Sequence, residues 1–302
     1  MRIVFMGTPD FAASSLKMLY EQGHEVAAVF TQPDRPKNRG HRLAQSPVKE
    51  LALQHGTPVY QPSTMKDGQA LEILRELRPE LIAVVAYGRL LPAEILTLPR
   101  YGCVNIHGSL LPKYRGAAPI QWSVLNGEPT AGVTAMHMAE ELDAGDIIAQ
   151  IAIPIERYET SGELYVRLAW VGAKLLCAVI EALKDGTAKR IPQNPAKATY
   201  APPLTREMSP IDWTRSAKAI VDQIHGLNPW PSATAELGGT QFKLHRAELR
   251  EPSGAAPGTV TADREGIRVA AEGADVLITE LQAPGGKRMK AADYLRGHPL
   301  SL

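Results

Sequence analysis

The sequence predicts an α/β protein with a doubly wound sheet in its N-terminal part and a small β-barrel at its C-terminal end. Three observations support this fold class. Apolar runs of strand length alternate with helical patterns, which is typical of parallel sheets with crossover helices. Five prolines cluster between Pro192 and Pro210, which is typical of an extended linker. Beyond Ile211, short β-type segments are separated by Gly and Pro, as in small barrels.

The strands of the N-terminal part are short and apolar. We predict them at Arg2–Met6, Val26–Thr31, Val59–Gln61, Leu81–Ala86, Cys103–Ile106, Val133–Met138 and, at an edge, Ile147–Ile153. Helical spacing predicts five helices: one that begins at Phe11 and ends at Gly23, one that begins at Pro47 and ends at Gly56, and three more over Ala70–Leu77, Ala117–Asn126 and Gly162–Lys184. Ser46 is a predicted N-cap because proline at the next position is typical of a helix start.

The C-terminal part has one predicted helix, Ser216–His225, and several short predicted strands. The strands are Thr234–Leu237, Gln241–Arg246, Thr259–Thr261, Ile267–Ala270 and Val276–Leu281. A chain of 302 residues is long enough for two domains. We therefore expect an N-terminal domain over 1–188, a linker over 189–206 and a C-terminal domain over 207–302.

Charge does not point to a nucleic-acid partner for the chain as a whole, because its formal net charge is only +1. Between Asp34 and Lys49, however, five cationic residues stand against one acid, so this window carries +4. A solvated loop without a partner remains the alternative interpretation of the window.

Two cysteines without metal-type spacing predict free thiols and no metal site. The first apolar run is too short for a signal peptide, and no stretch of about 18 apolar residues occurs. We therefore expect a cytoplasmic protein without a membrane span.

Several nucleotide and hydrolase signatures are absent, including the P-loop, the GxSxG elbow and the HExxH helix. Gly7-Thr8-Pro9-Asp10 follows the first strand but lacks the later glycines of a dinucleotide fingerprint. A nicotinamide or flavin cofactor is therefore not expected, and a tight strand-to-helix turn is the simpler interpretation.

The segment from Asn105 to Pro112 leaves the carboxyl end of a predicted central strand, where open α/β sheets bind ligands. Asn105 and His107 are two residues apart and so project to the same side of a strand. An amide donor beside an imidazole is suited to stabilising an oxyanion at a carbonyl under attack. From spacing alone, a purely structural His107 that caps the strand end is equally compatible.

A second polar segment, Glu140–Asp146, follows the strand Val133–Met138 and contains four acids. A solvated loop is the ordinary interpretation of such a run. Asp143 stands beside Leu142 and before Ala144, so it could instead point inward and pair with His107, which would orient the ring.

These residues complete a larger pattern: the chain resembles the methionyl-tRNA formyltransferase family over nearly its whole length. The matching motifs are Gly7–Phe11, Thr31–Pro36, Arg39-Gly40, Ser46–Lys49, Val85–Gly88, Asn105–Pro112, Arg115–Gln121, Leu142–Asp146, Ile211–Trp213 and Asn228–Pro231. The Asn-x-His…Asp set occurs in folate formyltransferases generally and indicates the reaction class. Its combination with the motifs at 31–49 and 228–231 is more specific.

The resemblance implies a Rossmann-like formyltransferase domain followed by an OB-like β-barrel. It implies 10-formyltetrahydrofolate as donor, initiator methionyl-tRNA as acceptor, a role in translation initiation and a monomeric enzyme. It also implies three groups of site residues: Asn105, His107 and Asp143 in catalysis; Ser109, Leu110, Leu111, Pro112, Tyr87 and Gly88 at the folate; Arg35, Lys37, Arg39 and Arg42 at the tRNA.

One feature departs from the family's expected positive RNA channel. From Glu207 onward, 11 Lys and Arg stand against 12 Asp and Glu. A positive surface in this part would need a local patch, for which Lys287, Arg288 and Lys290 are candidates.

Two rival functions remain compatible with parts of the pattern. A formyltransferase acting on a small amine would share the Asn-x-His…Asp set but usually lacks the C-terminal barrel with Asn228–Pro231. A non-catalytic folate- or RNA-binding module would be expected to lack one of the three catalytic residues, and all three are present.

Overall fold

The structure is a computed structural model that describes the backbone of residues 1–37 and 42–300, with side chains except at 35–37 and 42. The chain forms two compact units, each assembled from separate stretches of sequence. The first comprises Met1–Gly116, Gly132–Ile153 and Tyr165–Tyr200. The second comprises Ala117–Ala131, Pro154–Leu164 and Ala201–Leu302.

Up to residue 184 the described chain alternates strands and helices. The strands are β1 (Arg2–Gly7), β2 (Glu25–Phe30), β3 (Arg35–Lys37), β4 (Arg42–Ala44), β5 (Val59–Tyr60), β6 (Leu81–Val85), β7 (Cys103–His107), β8 (Arg115–Gly116), β9 (Thr130–His137) and β10 (Ile147–Pro154). The helices are α1 (Asp10–Glu21), α2 (Pro47–Gln54), α3 (Gln69–Leu77), α4 (Ala93–Leu96), α5 (Pro119–Leu125) and α6 (Ser161–Lys184). The structure adds β3, β4, β8 and α4 to the predicted elements.

The main sheet of the first unit has the order β10-β9-β7-β6-β1-β2-β5. From β5 to β7 the strands are parallel, and their order along the chain is that of a doubly wound nucleotide-binding sheet. The Rossmann-like α/β prediction is thus confirmed for this unit. β9 departs from the parallel pattern and runs antiparallel to β7, since α5, which lies between them in sequence, packs in the second unit instead of crossing this sheet.

Burial explains why the central strands are uninterrupted apolar runs. Every residue of β6 and β7 is buried, including the polar Asn105 and His107 at the end of β7. Cys103, at the start of β7, is 3% exposed. Gly7 ends β1 where helix α1 packs close: a Cβ at this position would lie 2.6 Å from the Ala12 Cβ. The turn into α1 therefore requires glycine for space.

The second unit contains six antiparallel strands and two further helices. After β11 (Tyr200–Ala201), which lies where the chain passes between the units, come β12 (Ala233–Leu237), β13 (Thr240–Arg250), β14 (Val260–Ala262), β15 (Ile267–Ala270), β16 (Asp275–Gln282) and β17 (Arg288–Lys290), with α7 (Ala217–Gly226) and α8 (Ala291–Gly297). The sheet order is β12-β13-β16-β15-β14, with β17 on β16. The structure adds β11, β17 and α8 to the predicted elements.

One apolar core holds the second unit together. Helix α7 covers β13 and β16 and contributes Ile220 and Ile224, while the sheet contributes Phe242, Leu244 and Ile278, all fully buried. Ser216 caps α7 as predicted, since its hydroxyl accepts a hydrogen bond from the Ala219 N–H at 3.3 Å. The C-terminal unit is therefore rich in antiparallel strands, and its closure into an OB-like barrel remains a prediction.

Among the helices at 1–37 and 42–300, none combines the length and apolar character that crossing a membrane requires.

Candidate active site

Three loops meet at the carboxyl edge of the parallel sheet, at the ends of β1, β6 and β7. The order of strands reverses between β1 and β6, and such a switch point is where open α/β sheets form a ligand crevice. The Thr8 hydroxyl donates to the Tyr87 carbonyl at 3.3 Å, and the Gln32 amide donates to the same oxygen at 3.0 Å. These bonds fix the loop after β6 against the segments that follow β1 and β2.

His107 is the last residue of β7, and its side chain is 7% exposed. Its Nε2 lies 2.9 Å from the Tyr114 carbonyl oxygen. A carbonyl oxygen can only accept a hydrogen bond, so Nε2 carries the proton in the neutral ring. Nδ1 is then the basic nitrogen, and it lies 3.6 Å from Asp143 Oδ2.

Asp143 lies in the loop between β9 and β10, and its side chain is 11% exposed. Its Oδ2 accepts a hydrogen bond from the Gly116 N–H at 2.8 Å. Its distance of 3.6 Å from His107 Nδ1 exceeds an ordinary hydrogen bond but suits electrostatic stabilisation of a protonated ring. The backbone of Asp143 has φ 50°, in the left-handed region that non-glycine residues rarely adopt.

Asn105 is 9% exposed and stands two residues before His107 on β7. The strand alternation places both side chains on the same side of the sheet. Within residues 1–37 and 42–300 the Asn105 carboxamide has no hydrogen-bond partner. An unpaired buried amide costs free energy, so an oxygen of a bound molecule that accepts a hydrogen bond from it would remove this cost.

Two polar side chains on β9 and β10, which sequence reasoning missed, hold the segment Ser109–Pro112 by hydrogen bonds to its backbone. Thr134, fully buried on β9, donates to the Ser109 carbonyl at 2.6 Å and accepts from the Leu111 N–H at 3.1 Å. Gln150 on β10 donates to the Leu111 carbonyl at 2.9 Å and to the Thr134 hydroxyl at 2.8 Å. The loop after β7 therefore has a fixed backbone.

Tyr87 and Gly88 lie at the same edge, but the Tyr87 ring points into the core. The ring is 2% exposed, its hydroxyl donates to Met65 Sδ at 3.2 Å, and burial raises its pKa to about 12. Gly88 is exposed with φ 78°. The surface that these two residues offer to a ligand is therefore mainly backbone.

The predicted RNA-contacting cations lie at or beyond the limits of the described chain. Arg39 falls outside the described residues, while Arg35, Lys37 and Arg42 belong to the antiparallel pair β3 and β4, whose backbone is described. The base of this hairpin is anchored because Lys49 donates to Asp34 at 2.6 Å and to Gln61 at 2.8 Å. The hydrogen bond from Lys49, and after it the one that the Gln61 amide donates to Asp34 Oδ1 at 2.8 Å, lower the pKa of Asp34.

In the described part of the chain, no three His, Cys, Asp or Glu side chains come together as metal ligands would.

Comparison with known proteins agrees with this geometry. A family model described as formyl transferase matches residues 1–180, and one described as formyl transferase, C-terminal domain, matches residues 203–299. A methionyl-tRNA formyltransferase of Moorella thermoacetica is 54% identical over 99% of this chain and 97% of its own length. The chain belongs to the methionyl-tRNA formyltransferase family. Its Bacillus subtilis member is 46% identical over 98% of this chain and 94% of its own length.

Two solved structures share the fold of this member of the methionyl-tRNA formyltransferase family at low sequence identity. An N-formyltransferase from Helicobacter canadensis, in complex with folinic acid and dTDP-3-aminofucose, has a TM-score of 0.70 and 21% identity, covering 91% of this chain and 98% of its own. HypX from Aquifex aeolicus, in complex with tetrahydrofolic acid, has a TM-score of 0.66 and 21% identity, covering 98% of this chain and 47% of its own. At 21% identity these two comparisons show a shared fold and nothing further.

In this formyltransferase the structure brings Asp143 to His107 and also adds partners that sequence reasoning missed. Gln193, in the stretch predicted as linker, donates to the Asp143 and Gly145 carbonyls at 2.8 Å each. The sequence distinguishes Arg115 only as part of a family motif, yet its guanidinium is 3% exposed and donates to Gln193 Oε1. No spacing signal in the sequence connects positions 115, 143 and 193.

Proposed function

We propose that this chain transfers the formyl group of 10-formyltetrahydrofolate to the α-amino group of methionine on initiator methionyl-tRNA, for translation initiation. The enzyme acts as a cytoplasmic monomer. The folate-binding and catalytic residues lie within 1–188 and the OB-like barrel that binds tRNA within 207–302. The connecting stretch 189–206 belongs to the first unit up to Tyr200 and to the second from Ala201.

The observation that carries this proposal is the pairing of an unpartnered amide with a fixed imidazole at the carboxyl end of β7. Asn105 offers free N–H donors, and His107 is held by the Tyr114 carbonyl with Asp143 at 3.6 Å. Formyl transfer needs these two functions: a donor for the oxygen that gains negative charge, and a base for the proton that leaves the amine. The 54% identity to a methionyl-tRNA formyltransferase supports the choice of acceptor.

The residues at this edge fit a formyl donor, since the unpaired carboxamide of Asn105 lies near the carboxyl end of β7, which neighbours β6 at the switch point of the sheet. Ser109, Leu110, Leu111, Pro112 and the backbone of Tyr87 and Gly88 would hold 10-formyltetrahydrofolate, which supplies the formyl carbon. No metal takes part.

The side chains divide the chemical work. Asn105 donates to the formyl oxygen as the amine attacks. Nε2–H of His107 is engaged by Tyr114, so Nδ1 is the atom that accepts the proton released from the amine. Asp143, 3.6 Å away, then stabilises the charged ring and helps to relay the proton. As the bond between the amine and the formyl carbon forms, the bond from that carbon to N10 of the folate breaks, the relayed proton goes to N10, and tetrahydrofolate leaves. Positioning and electrostatics complete the catalysis without a covalent enzyme intermediate.

The tRNA is contacted by the cationic segment 34–49, whose Arg35, Lys37, Arg39 and Arg42 bind near the acceptor end. Because Lys49 is paired with Asp34, the net charge of +4 in this segment equals the charge of the four cationic residues between them in sequence. In the C-terminal unit Arg288 is already engaged, because it forms two hydrogen bonds with Glu280 at 2.6 and 2.7 Å. Lys287 and Lys290, both exposed, are the better candidates for phosphate contacts there.

A competition experiment tests the acceptor. The protein is incubated with 10-formyltetrahydrofolate, charged initiator tRNA and small amines, including an amino sugar nucleotide and glycinamide ribonucleotide, and the formylated products are separated and counted. We expect formyl-methionyl-tRNA to dominate at equal acceptor concentrations. Preferential formylation of a small amine would contradict the proposed acceptor but leave the proposed reaction class standing, and no formylation at all would contradict both.

A further inference from the structure

The side chain of Gln193 uses all of its hydrogen-bonding capacity inside the first unit. Its Nε2 donates to the carbonyls of Asp143 and Gly145, both at 2.8 Å. Its Oε1 accepts from Arg115 Nη2 at 2.9 Å and from Arg115 Nε at 3.2 Å. An amide offers two donors and two acceptor sites, so every one is occupied.

The backbone that carries Gln193 is fixed two residues earlier. Ile191 and Ile147 exchange backbone hydrogen bonds at 2.8 and 2.9 Å, which attaches the segment to the start of β10. The neighbours Pro192 and Asn194 are exposed, so Gln193 is the residue of this stretch that turns inward.

These contacts close a ring around Asp143. The carboxylate accepts from the Gly116 N–H at 2.8 Å, and Gly116 is joined through the chain to Arg115. The Arg115 guanidinium donates to Gln193, and Gln193 donates back to the Asp143 carbonyl. Asp143 is therefore held at both its side chain and its backbone, and Gln193 is the link between the two.

The loop needs such a constraint because its local conformation is unfavourable. Asp143 has φ 50°, a left-handed conformation that residues other than glycine adopt uncommonly. Gly145 passes so close to β9 that a Cβ would lie 1.8 Å from the His137 carbonyl oxygen. Strained segments of this kind persist only where the surrounding contacts determine them.

We infer that Gln193 is a positioning residue for formyl transfer, which sets the place of the Asp143 carboxylate relative to His107 Nδ1. The inference rests on the proposed catalytic roles of Asp143 and His107. Gln193 itself contacts neither substrate nor the reacting atoms.

Two variants of Gln193 separate its donors from its acceptor. Gln193→Met keeps the length and loses both, while Gln193→Glu keeps an acceptor for Arg115 but loses the donors to Asp143 and Gly145. Because a displacement of about 1 Å can cost about 10²-fold in rate, we expect both variants to lower kcat by about 10- to 100-fold with little change in the KM for the folate donor. Asn194→Ala, in the neighbouring exposed residue, is the matched control and should stay within about twofold of wild type.

A double-mutant cycle with Asp143 distinguishes positioning from a general loss of structure. If Gln193 acts through Asp143, then Gln193→Met in an Asp143→Ala background should change kcat by less than about threefold, since independent effects would instead multiply. Thermal unfolding of each variant shows that it is folded. An unchanged kcat in Gln193→Met, or the same loss in both backgrounds, overturns the inference.

A failure of the inference about Gln193 can be distinguished from a failure of the proposed function. The assays use whichever amine the wild-type protein formylates, so a different acceptor leaves the test of Gln193 intact. If no amine is formylated, the ring nitrogen signals of His107 in ¹⁵N NMR spectra decide. Gln193→Met should shift them as Asp143→Ala does, Asn194→Ala should not, and unchanged signals in Gln193→Met overturn the inference.

Discussion

Asn105 and His107 lie on one strand, but their side chains are in different chemical situations. The Asn105 carboxamide has no partner in the described chain, while His107 is fixed by Tyr114 and faces Asp143. The first is therefore free to bind a developing negative charge, and the second is oriented to exchange a proton. Substitution of each residue should affect the chemical step more than binding.

Removing either group should lower turnover strongly. We expect Asn105→Ala to reduce kcat by about 10²–10³-fold, the usual cost of losing one oxyanion donor. His107→Ala should cost about 10²–10⁴-fold as the loss of a general base. Single-turnover formylation at saturating substrates measures both. His24→Ala removes an imidazole at the opposite edge of the sheet and is the control, and a His107→Ala enzyme within about threefold of wild type would contradict the assignment.

His225 in the second unit links stability to pH. It is 3% exposed, and burial, together with the charge of Arg246, lowers its pKa to about 4. Its Nε2 accepts from the Ala247 N–H at 3.2 Å, which requires a neutral ring. The unfolded chain, with a histidine pKa of about 6.5, binds more protons between these values, so stability present above pH of about 6.5 is lost as pH falls toward 4.

The expected size of this loss is about 3 kcal/mol, from about 1.4 kcal/mol for each unit of pKa difference. Urea unfolding of the second unit at pH 7 and pH 4.5 should show a smaller difference in His225→Gln than in wild type, whatever the stability of the variant at pH 7. His298→Gln, at an exposed position of the same unit, should keep the wild-type difference. An equal pH dependence in His225→Gln would show that this histidine titrates normally.

At the scale of elements, the loop between β9 and β10 depends on the absence of a side chain at Gly145. A Cβ there would lie 1.8 Å from the His137 carbonyl oxygen, which is backbone and cannot move aside. We expect Gly145→Ala to displace Asp143 and to lower kcat at least about 10-fold. The formylation assay, with Glu140→Ala in the same loop as control, checks this. A fully active Gly145→Ala enzyme would mean that the loop can adopt another conformation that keeps Asp143 in position.

The strands were predictable from the sequence where burial dictates composition. Leu81–Ala86 and Cys103–Ile106 are continuous apolar runs, and each lies within one residue of the observed β6 and β7. β17 escaped prediction because Arg288–Lys290 is exposed and carries no periodic apolar signal. The alternation that placed Asn105 beside His107 is a local property of one strand.

Contacts between residues that are far apart in the sequence could not be predicted from local patterns. The approach of Asp143 to His107 depends on a left-handed residue and on a glycine packed against β9, neither of which has a spacing signature. The inward turn of Gln193 depends on the bridge between Ile191 and Ile147. A proline-rich composition suggested only an extended segment, since composition does not specify which side chain of the segment is buried.

At the scale of the whole molecule, a net charge of +1 requires RNA affinity to come from concentrated patches. Arg39→Ala should sharply reduce formylation of methionyl-tRNA while folate binding stays intact. The slope of log binding constant against log salt should become shallower by about one phosphate contact. Lys66→Ala removes a cation from an exposed position of the same unit as control. A normal rate with an unchanged slope in Arg39→Ala would contradict a role of the segment 34–49 in RNA binding.

The burial of Cys103 makes its rate of alkylation a measure of how often the sheet opens. Its thiol is 3% exposed, donates to the Ile95 carbonyl at 3.6 Å and has its pKa raised to about 12 by burial, so almost no reactive thiolate is present at pH 8. An alkylating reagent should therefore reach Cys103 only when the sheet opens, whereas the half-buried Cys177 should label sooner. In a Cys177→Ser protein, mass spectrometry should show slow labelling that denaturant accelerates, and rapid labelling of the native protein would contradict this. The labelling rate then reports how often β7, the strand that carries Asn105 and His107, separates from its neighbours in the sheet.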